Sequence, residues 1–345
     1  MSFVYVANFG GSNISVIDTK VNRLIANIQV VGFPIATIRS PNGQYCYVLC
    51  TGSPGNVTVI DTKDHKVMAT IQVGVVLSPG QATTPLGITQ DGQRIYVVDS
   101  STSGNVTVID TKDYRVIATV QPGILPNAIA ITPDDQFAYV VNTTTTNPSV
   151  TVIATKTNQL ISTIGIGDSA FFLKITPDGR YVYICNFGSA NVSVIETKAN
   201  QVIATVAVGA APVALDITAD GQFVYVASRN DATISVIDTR TYQVISTVGV
   251  DDGPAFLQVT ADGRYLYVVN NGGDTVSVME TRTHQVISTV RVGSFPITLG
   301  ITKDDRYVYV ANQNDATVSV IETKANQVIS TVSVDTFPGA LAIVP

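Results

Sequence analysis

A tyrosine inside a β-rich run recurs through the whole chain, as Tyr5, Tyr47, Tyr96, Tyr139, Tyr183, Tyr225, Tyr267 and Tyr309. The successive gaps are 42, 49, 43, 44, 42, 42 and 42 residues. A period near 42 with four short strand patterns per unit is the signature of propeller blades. No sustained 3.6-residue apolar period occurs, so helices are expected to be nearly absent. A unit of this size cannot bury its own two faces, and repetition around a ring buries them all.

The fifth unit shows the pattern. "FFLKIT" (171–176) is strand A, "PDG" (177–179) a tight turn whose glycine takes a positive φ, and "YVYICN" (181–186) strand B. "NVSVIE" (191–196) is strand C, "TKANQ" (197–201) a polar turn, and "VIATVAV" (202–208) strand D. Strands B and C are apolar at most positions, as expected of blades covered on both faces. The chain starts in a B strand and ends in an A strand, "GALAIVP" (339–345), which matches "PVALDIT" (212–218). The reading is one all-β domain over residues 1–345: a single β-propeller of eight four-stranded blades. The C-terminal A strand joins the N-terminal B, C and D strands and closes the ring.

The "YVAN" and "YVYVAN" runs (5–8, 307–312), the "VSVIET" and "QVIATV" strands and the "TPDGR" turn resemble the YVTN-type β-propeller repeat family over essentially the whole chain. The resemblance implies a propeller of the kind found in surface-layer, periplasmic and other bacterial or archaeal proteins, many without an assigned activity. Propellers of similar repeat type include lactonases and nitrite-reductase haem domains, so fold does not decide function. Eight blades depart from the family's frequent seven.

Composition narrows the classes. The chain is 45% hydrophobic and 13% charged, so a large core is available and disorder is not expected. A formal net charge of −6 with no basic cluster argues against nucleic acid and against anionic membranes. "MSFVYVANFGG" carries neither a basic n-region nor an apolar h-region, and the expected location is cytoplasmic. Cys46 and Cys50 lie in one strand with Cα atoms ~13 Å apart, too far for a disulfide. With Cys185 they read as small buried hydrophobes of a reducing compartment.

Residues repeated in every blade read as structural. His65 and His284 occupy one turn column with Asn22, Tyr114, Asn158, Asn200, Tyr242 and Asn326, which reads as a solvated turn. With two histidines and no paired cysteines, no metal site or cofactor is expected. The acids ending strand C (Asp18, Asp61, Asp110, Glu196, Asp238, Glu280, Glu322) form a column expected to bond the following turn.

The variable features lie at the other end, in the B–C and D–A loops. "VGVVLSPGQATTPLG" (73–87) is the longest insertion, a candidate lid or docking loop, and "NTTTTNPS" (142–149) is a second irregular loop. Phe33, Phe295 and Phe337 each precede a proline, and Phe171, Phe172 and Phe256 begin A strands. Asp168, Asp231, Asp251, Asp252, Asp274, Asp315 and Asp335 gather there against Arg229. In strand A, one column reads Ile38, Gly87, Ala130, Lys174, Asp216, Gln258, Gly300, Ala342, and its neighbouring columns are apolar except for Arg39.

The expected function is a non-catalytic recognition scaffold, binding a protein partner or small ligand on the B–C/D–A face and channel mouth as a monomer. Candidate ligand-binding residues are Lys174, Asp216, Gln258, Phe172, Phe256, Arg39 and Arg229. The alternative is an enzyme of lyase, cyclase or lactonase type in the same funnel, with Lys174 and Asp216 as acid, base or electrostatic stabiliser. No catalytic residue is assigned.

Overall fold

The structure is a computed structural model that describes residues 2–76, 84–99, 101, 104–144 and 146–345. Eight four-stranded antiparallel sheets form the blades of one propeller, and no helix occurs among the described residues. In the fifth blade the strands run Ala170–Ile175, Tyr181–Asn186, Asn191–Glu196 and Gln201–Ala207, within a residue of the sequence reading. The middle strands are buried almost throughout, because each blade face packs against the next blade.

The ring closes across the termini as expected. Strand Pro338–Val344 pairs antiparallel with Phe3–Asn8, bringing Phe3 opposite Val344 and Tyr5 opposite Ala342. We number this composite blade 1. The next blade, beginning with Pro34–Arg39, is blade 2, and the strand carrying Lys174 belongs to blade 5.

The repeated tyrosine joins blades. Tyr139 Oη donates to Asn200 Oδ1 at 2.7 Å, Tyr267 to Asn326 at 3.0 Å and Tyr96 to Asn158 at 3.2 Å, each acceptor sitting on the C–D turn of the following blade. Tyr309 makes the same bond to Asn22 over the closure seam. Tyr5 donates to His65 Nδ1 at 2.7 Å, and Tyr225 lies 3.4 Å from His284 Nδ1. This corrects the reading of that column as solvated turn. Its occupants are half-buried, all hold positive φ (51° to 59°), and Asn or His presents an acceptor to the neighbouring blade. A left-handed backbone suits asparagine best among non-glycine residues.

Other repeated positions are structural as expected. Asp18, Asp61, Asp110 and Asp238 accept the backbone N–H two residues on, at 2.7–2.8 Å. The asparagine ending strand B ties B to C: Asn186 donates to Asn191 Oδ1 (2.7 Å) and Ser193 Oγ (2.8 Å). Strand D is the free edge of every blade, and it carries one bulged residue per blade, Ile203 in the fifth, which twists the edge against edge-to-edge pairing.

Candidate functional site

The A strands line the axis, and the side chains they project divide the channel into two cavities. The first, of about 530 Å³, opens among the D–A and B–C loops. Phe9, Phe295, Phe337, Ile35 and Ile297 line its mouth, and Phe172 and Phe256 lie deeper. Thr84, Pro85 and Leu86, near the end of the long insertion, also line it. Residues 77–83 of that insertion, the heart of the candidate lid, lie outside the described residues, as does residue 145 of the second irregular loop.

The second cavity, of about 450 Å³, lies toward the A–B turns, among Ser2, Lys303, Asp305 and Pro345. Phe172 and Phe256 border both cavities; Lys174, Gln258 and Arg39 border only the second of the two. So five of the sequence candidates line the channel near the axis, but the polar ones open toward the repeated A–B turns. A polar patch facing a ligand from the variable face was expected. The strand direction explains the difference: Phe172 precedes Lys174 along strand A, so it stands between Lys174 and the variable mouth. Arg229 sits in a B–C turn and lines neither cavity.

Lys174 Nζ forms a salt bridge with Asp216 Oδ1. The Lys174 side chain is 45% exposed and that of Asp216 only 7%, so the carboxylate is the buried partner. Its other bonds are to backbone: Ile217 N donates to Oδ1 and Val259 N, in blade 7, donates to Oδ2, both at 2.8 Å. Asp216 therefore ties three consecutive blades together at the axis. Two glycines of the same column serve packing instead. A Cβ on Gly300 would stand 2.4 Å from Leu341 Cδ1, and one on Gly87 3.2 Å from Ile131 Cδ1.

At the first mouth the aromatic side chains come from adjoining blades. Phe295 (blade 8), Phe337 (blade 1) and Phe33 (blade 2) form an arc, and Phe9 packs on Phe33 with ring centroids 5.2 Å apart. Phe33 and Phe337 are about half exposed, at 47% and 50%. Phe295 and Phe337 hold φ of 52° and 54°. The repeat demands this conformation before strand A, since Leu125, Ser169, Ala211 and Gly253 share it. Glycine fits it freely; a bulky side chain there is strained by about 1–3 kcal/mol.

The acids of this face are held by backbone. Asp274 Oδ1 accepts from Phe295 N (2.8 Å), Asp315 Oδ2 from Ser294 N (2.7 Å) and Asp231 Oδ2 from Ala210 N (2.7 Å). Bonds from Thr336 N and from Asn13 hold the Asp335 carboxyl below its ordinary range. Among the described residues no three His, Cys, Asp or Glu side chains come together as metal ligands. The three cysteines are buried and unpaired, and burial pushes the Cys46 and Cys50 thiols up to about 12, which leaves them unreactive.

Solved structures share this architecture. Hydrazine synthase of Kuenenia stuttgartiensis matches with 21% identity and a TM-score of 0.67, over 84% of this chain and 95% of that one. "Dihydro-heme d1 dehydrogenase NirN in complex with DHE" matches with 16% identity and a TM-score of 0.81, over 99% of this chain and 74% of that one. A functionally unknown protein from Desulfotomaculum acetoxidans DSM 771 matches with 18% identity and a TM-score of 0.67, over 99% and 98%. At these identities the likeness is one of fold. No curated protein matches the chain. The profile of a family described as "Lactonase, 7-bladed beta-propeller" matches residues 237–336, although this ring has eight blades. The profile described as "YNCE-like beta-propeller" matches residues 77–263, more than half of the sequence, and the chain belongs to that family.

Proposed function

We propose that this propeller is a recognition scaffold that takes the apolar body of a ligand into the channel mouth between the B–C and D–A loops. The observation that carries the reading is the pair Phe295 and Phe337. Both are large rings in a backbone conformation that suits glycine, and both line a cavity of about 530 Å³. Backbone strain kept at a cavity mouth points to function, because packing alone favours the residue that fits. A cavity of this size, mostly apolar and bordered by aromatic rings, suits a small organic ligand.

The enzyme reading rests on Lys174 and Asp216, and their contacts favour a structural role. Asp216 is buried and saturated by a lysine and two backbone amides, and of the pair only Lys174 borders the cavity at the opposite end. A haem ligated by histidine does not suit the mouth either. The chain has two histidines, and both lie on C–D turns at the other end, facing tyrosine hydroxyls.

The test is a fluorescence titration with the neutral apolar probe N-phenyl-1-naphthylamine. Saturable binding is expected, weakened by about tenfold or more in Phe295→Ala/Phe337→Ala with an unchanged melting temperature, since buried aromatic anchors dominate such sites. No saturable binding, or equal binding by the variant, overturns the reading.

A further inference from the structure

The net charge of the chain is not spread over the molecule. The structure assigns each charged side chain to one end of the ring or the other. At the loop end stand the seven aspartates noted in the sequence, joined by Asp99, which is buried and accepts from Val75 N (3.1 Å) and Ser101 N (2.9 Å). Against these eight acids stand two arginines, Arg229 and Arg291, the second being the last residue of a D strand. The difference, −6, equals the formal charge of the whole chain, so the turn end is balanced. At the turn end the cations also have local partners: Arg180, Arg264 and Arg306 each lie 5.4 Å from the ring centroid of the following tyrosine, and Arg240 pairs with Asp238.

The acids nearest the aromatic arc are fixed to the loops that carry it. Asp274 bonds the backbone N–H of Phe295 itself, Asp315 that of Ser294, and Asp335 that of Thr336 (2.7 Å), the residue before Phe337. Around a low-dielectric cavity, carboxylates fixed in this way focus a negative potential on its mouth. The π-faces of aromatic rings are likewise negative and attract cations. Apolar surface and negative potential together select one kind of ligand.

We infer that the ligand of the channel mouth is a small organic cation, an amine or quaternary ammonium group joined to an apolar or aromatic body. The inference rests on the site reading given above and adds the sign of the charge. The body fills the cavity among Phe172, Phe256, Ile35 and Ile297; the cationic head stays among Phe295, Phe337 and Phe9, within the field of the three aspartates.

The test displaces bound N-phenyl-1-naphthylamine with three matched compounds: phenyltrimethylammonium, its neutral isostere tert-butylbenzene, and the anion benzenesulfonate. The cation is expected to displace the probe at concentrations about tenfold lower than the neutral compound at low ionic strength, with the anion weakest. The gap shrinks in high salt, and the variant Asp274→Asn/Asp315→Asn/Asp335→Asn loses it while still binding the neutral probe. If this variant does not fold, the salt dependence of the natural sequence still decides. Equal displacement by cation and neutral isostere, with probe binding that still depends on Phe295 and Phe337, overturns the charge assignment and leaves the site standing. Absence of saturable probe binding overturns both.

Discussion

Tyr5 in blade 1 donates its hydroxyl to Nδ1 of His65 in blade 2, at 2.7 Å, and the histidine ring also packs edge-on to Phe3. Nδ1 accepts this bond, as the asparagine Oδ1 does elsewhere in the column, when the imidazole is neutral and carries its proton on Nε2. Burial holds the Tyr5 phenol protonated, so it remains a donor at every ordinary pH. Burial also lowers the pKa of His65, against an opposite pull from Asp64 and Asp61, and burial lowers that of His284.

A histidine whose folded pKa is depressed binds fewer protons folded than unfolded. Its contribution to stability is complete above the unfolded pKa of about 6.5 and is lost as pH falls from there through the folded pKa. Urea unfolding between pH 7.5 and 5 should show stability falling with acidification. His65→Asn/His284→Asn should flatten that part of the slope and leave stability at pH 7.5 within about 0.5 kcal/mol, because Asn22, Asn158, Asn200 and Asn326 already accept the same bond. His65→Ala, which leaves a buried hydroxyl unpaired, should cost about 1–3 kcal/mol. A steep acid slope surviving in the double asparagine variant would contradict the assignment.

The column holds tyrosine in place of an Asn or His acceptor at Tyr114 and Tyr242, and opposite Tyr242 the loss of the latch is measurable. Tyr183 Oη is buried without a partner, because the facing column holds Tyr242, whose ring packs edge-on against Tyr181 with centroids 5.8 Å apart. Tyr183→Phe should therefore be neutral or slightly stabilising. Tyr139→Phe, which deletes the bond to Asn200, should cost about 0.5–1.5 kcal/mol. Equal costs for the two, by chemical denaturation, would show that the bond contributes nothing.

Much of this architecture can be read from the sequence. Tyrosine spacing yields eight blades, and the match of residues 339–345 to the A strand at 212–218 yields the closing strand, because each unit must bury both faces and only a ring supplies neighbours for all. The opposite charges of Lys174 and Asp216 at one repeat position locate an ion pair that the structure contains. The His65 column hid its role because Asn, His and Tyr share no chemistry until the blade partner is known; the acceptor atom matters, and it meets a tyrosine about 60 residues away. The facing of the polar patch was also hidden, since it depends on how far along strand A each side chain stands. Arg291 escaped notice because it ends a D strand rather than sitting in a loop.

The axis pair predicts an asymmetric mutant cycle. Lys174→Ala leaves the Asp216 carboxylate with two backbone donors, whereas Asp216→Ala removes the tie to Val259 in blade 7 as well as the lysine's partner. Asp216→Ala should be the costlier change, at about 3–5 kcal/mol, and the double variant should not exceed it by the full cost of Lys174→Ala. Additive single effects in thermal unfolding would show that the two side chains do not interact.

Two A–B turns carry Asp where the others carry glycine. Asp135 and Asp305 hold φ of 59° and 54°, and Asp305 accepts both Ala261 N and Asp262 N at 2.8 Å from the preceding blade. Asp305→Gly removes the clasp but suits the backbone. Asp305→Ala removes the clasp and keeps the strained φ, so it should be less stable than the glycine variant by about 1 kcal/mol. The reverse order of melting temperatures would mean that the positive φ does not govern the turn.

The strain at the mouth separates stability from binding. Phe337 is half exposed, so its truncation forfeits little burial, and its φ of 54° is one that glycine adopts freely. Gly10 already packs beneath it, where an added Cβ would stand 2.7 Å from the Phe337 ring, so the loop is shaped around that side chain. Phe337→Gly should therefore keep or raise the melting temperature, because relief of the left-handed strain offsets the lost contacts and the entropy of an added glycine. The same variant should bind N-phenyl-1-naphthylamine more weakly. A drop in melting temperature together with unchanged probe binding would make the ring a packing element. A stable variant with weakened binding is the signature of a residue kept for its ligand at the expense of its backbone.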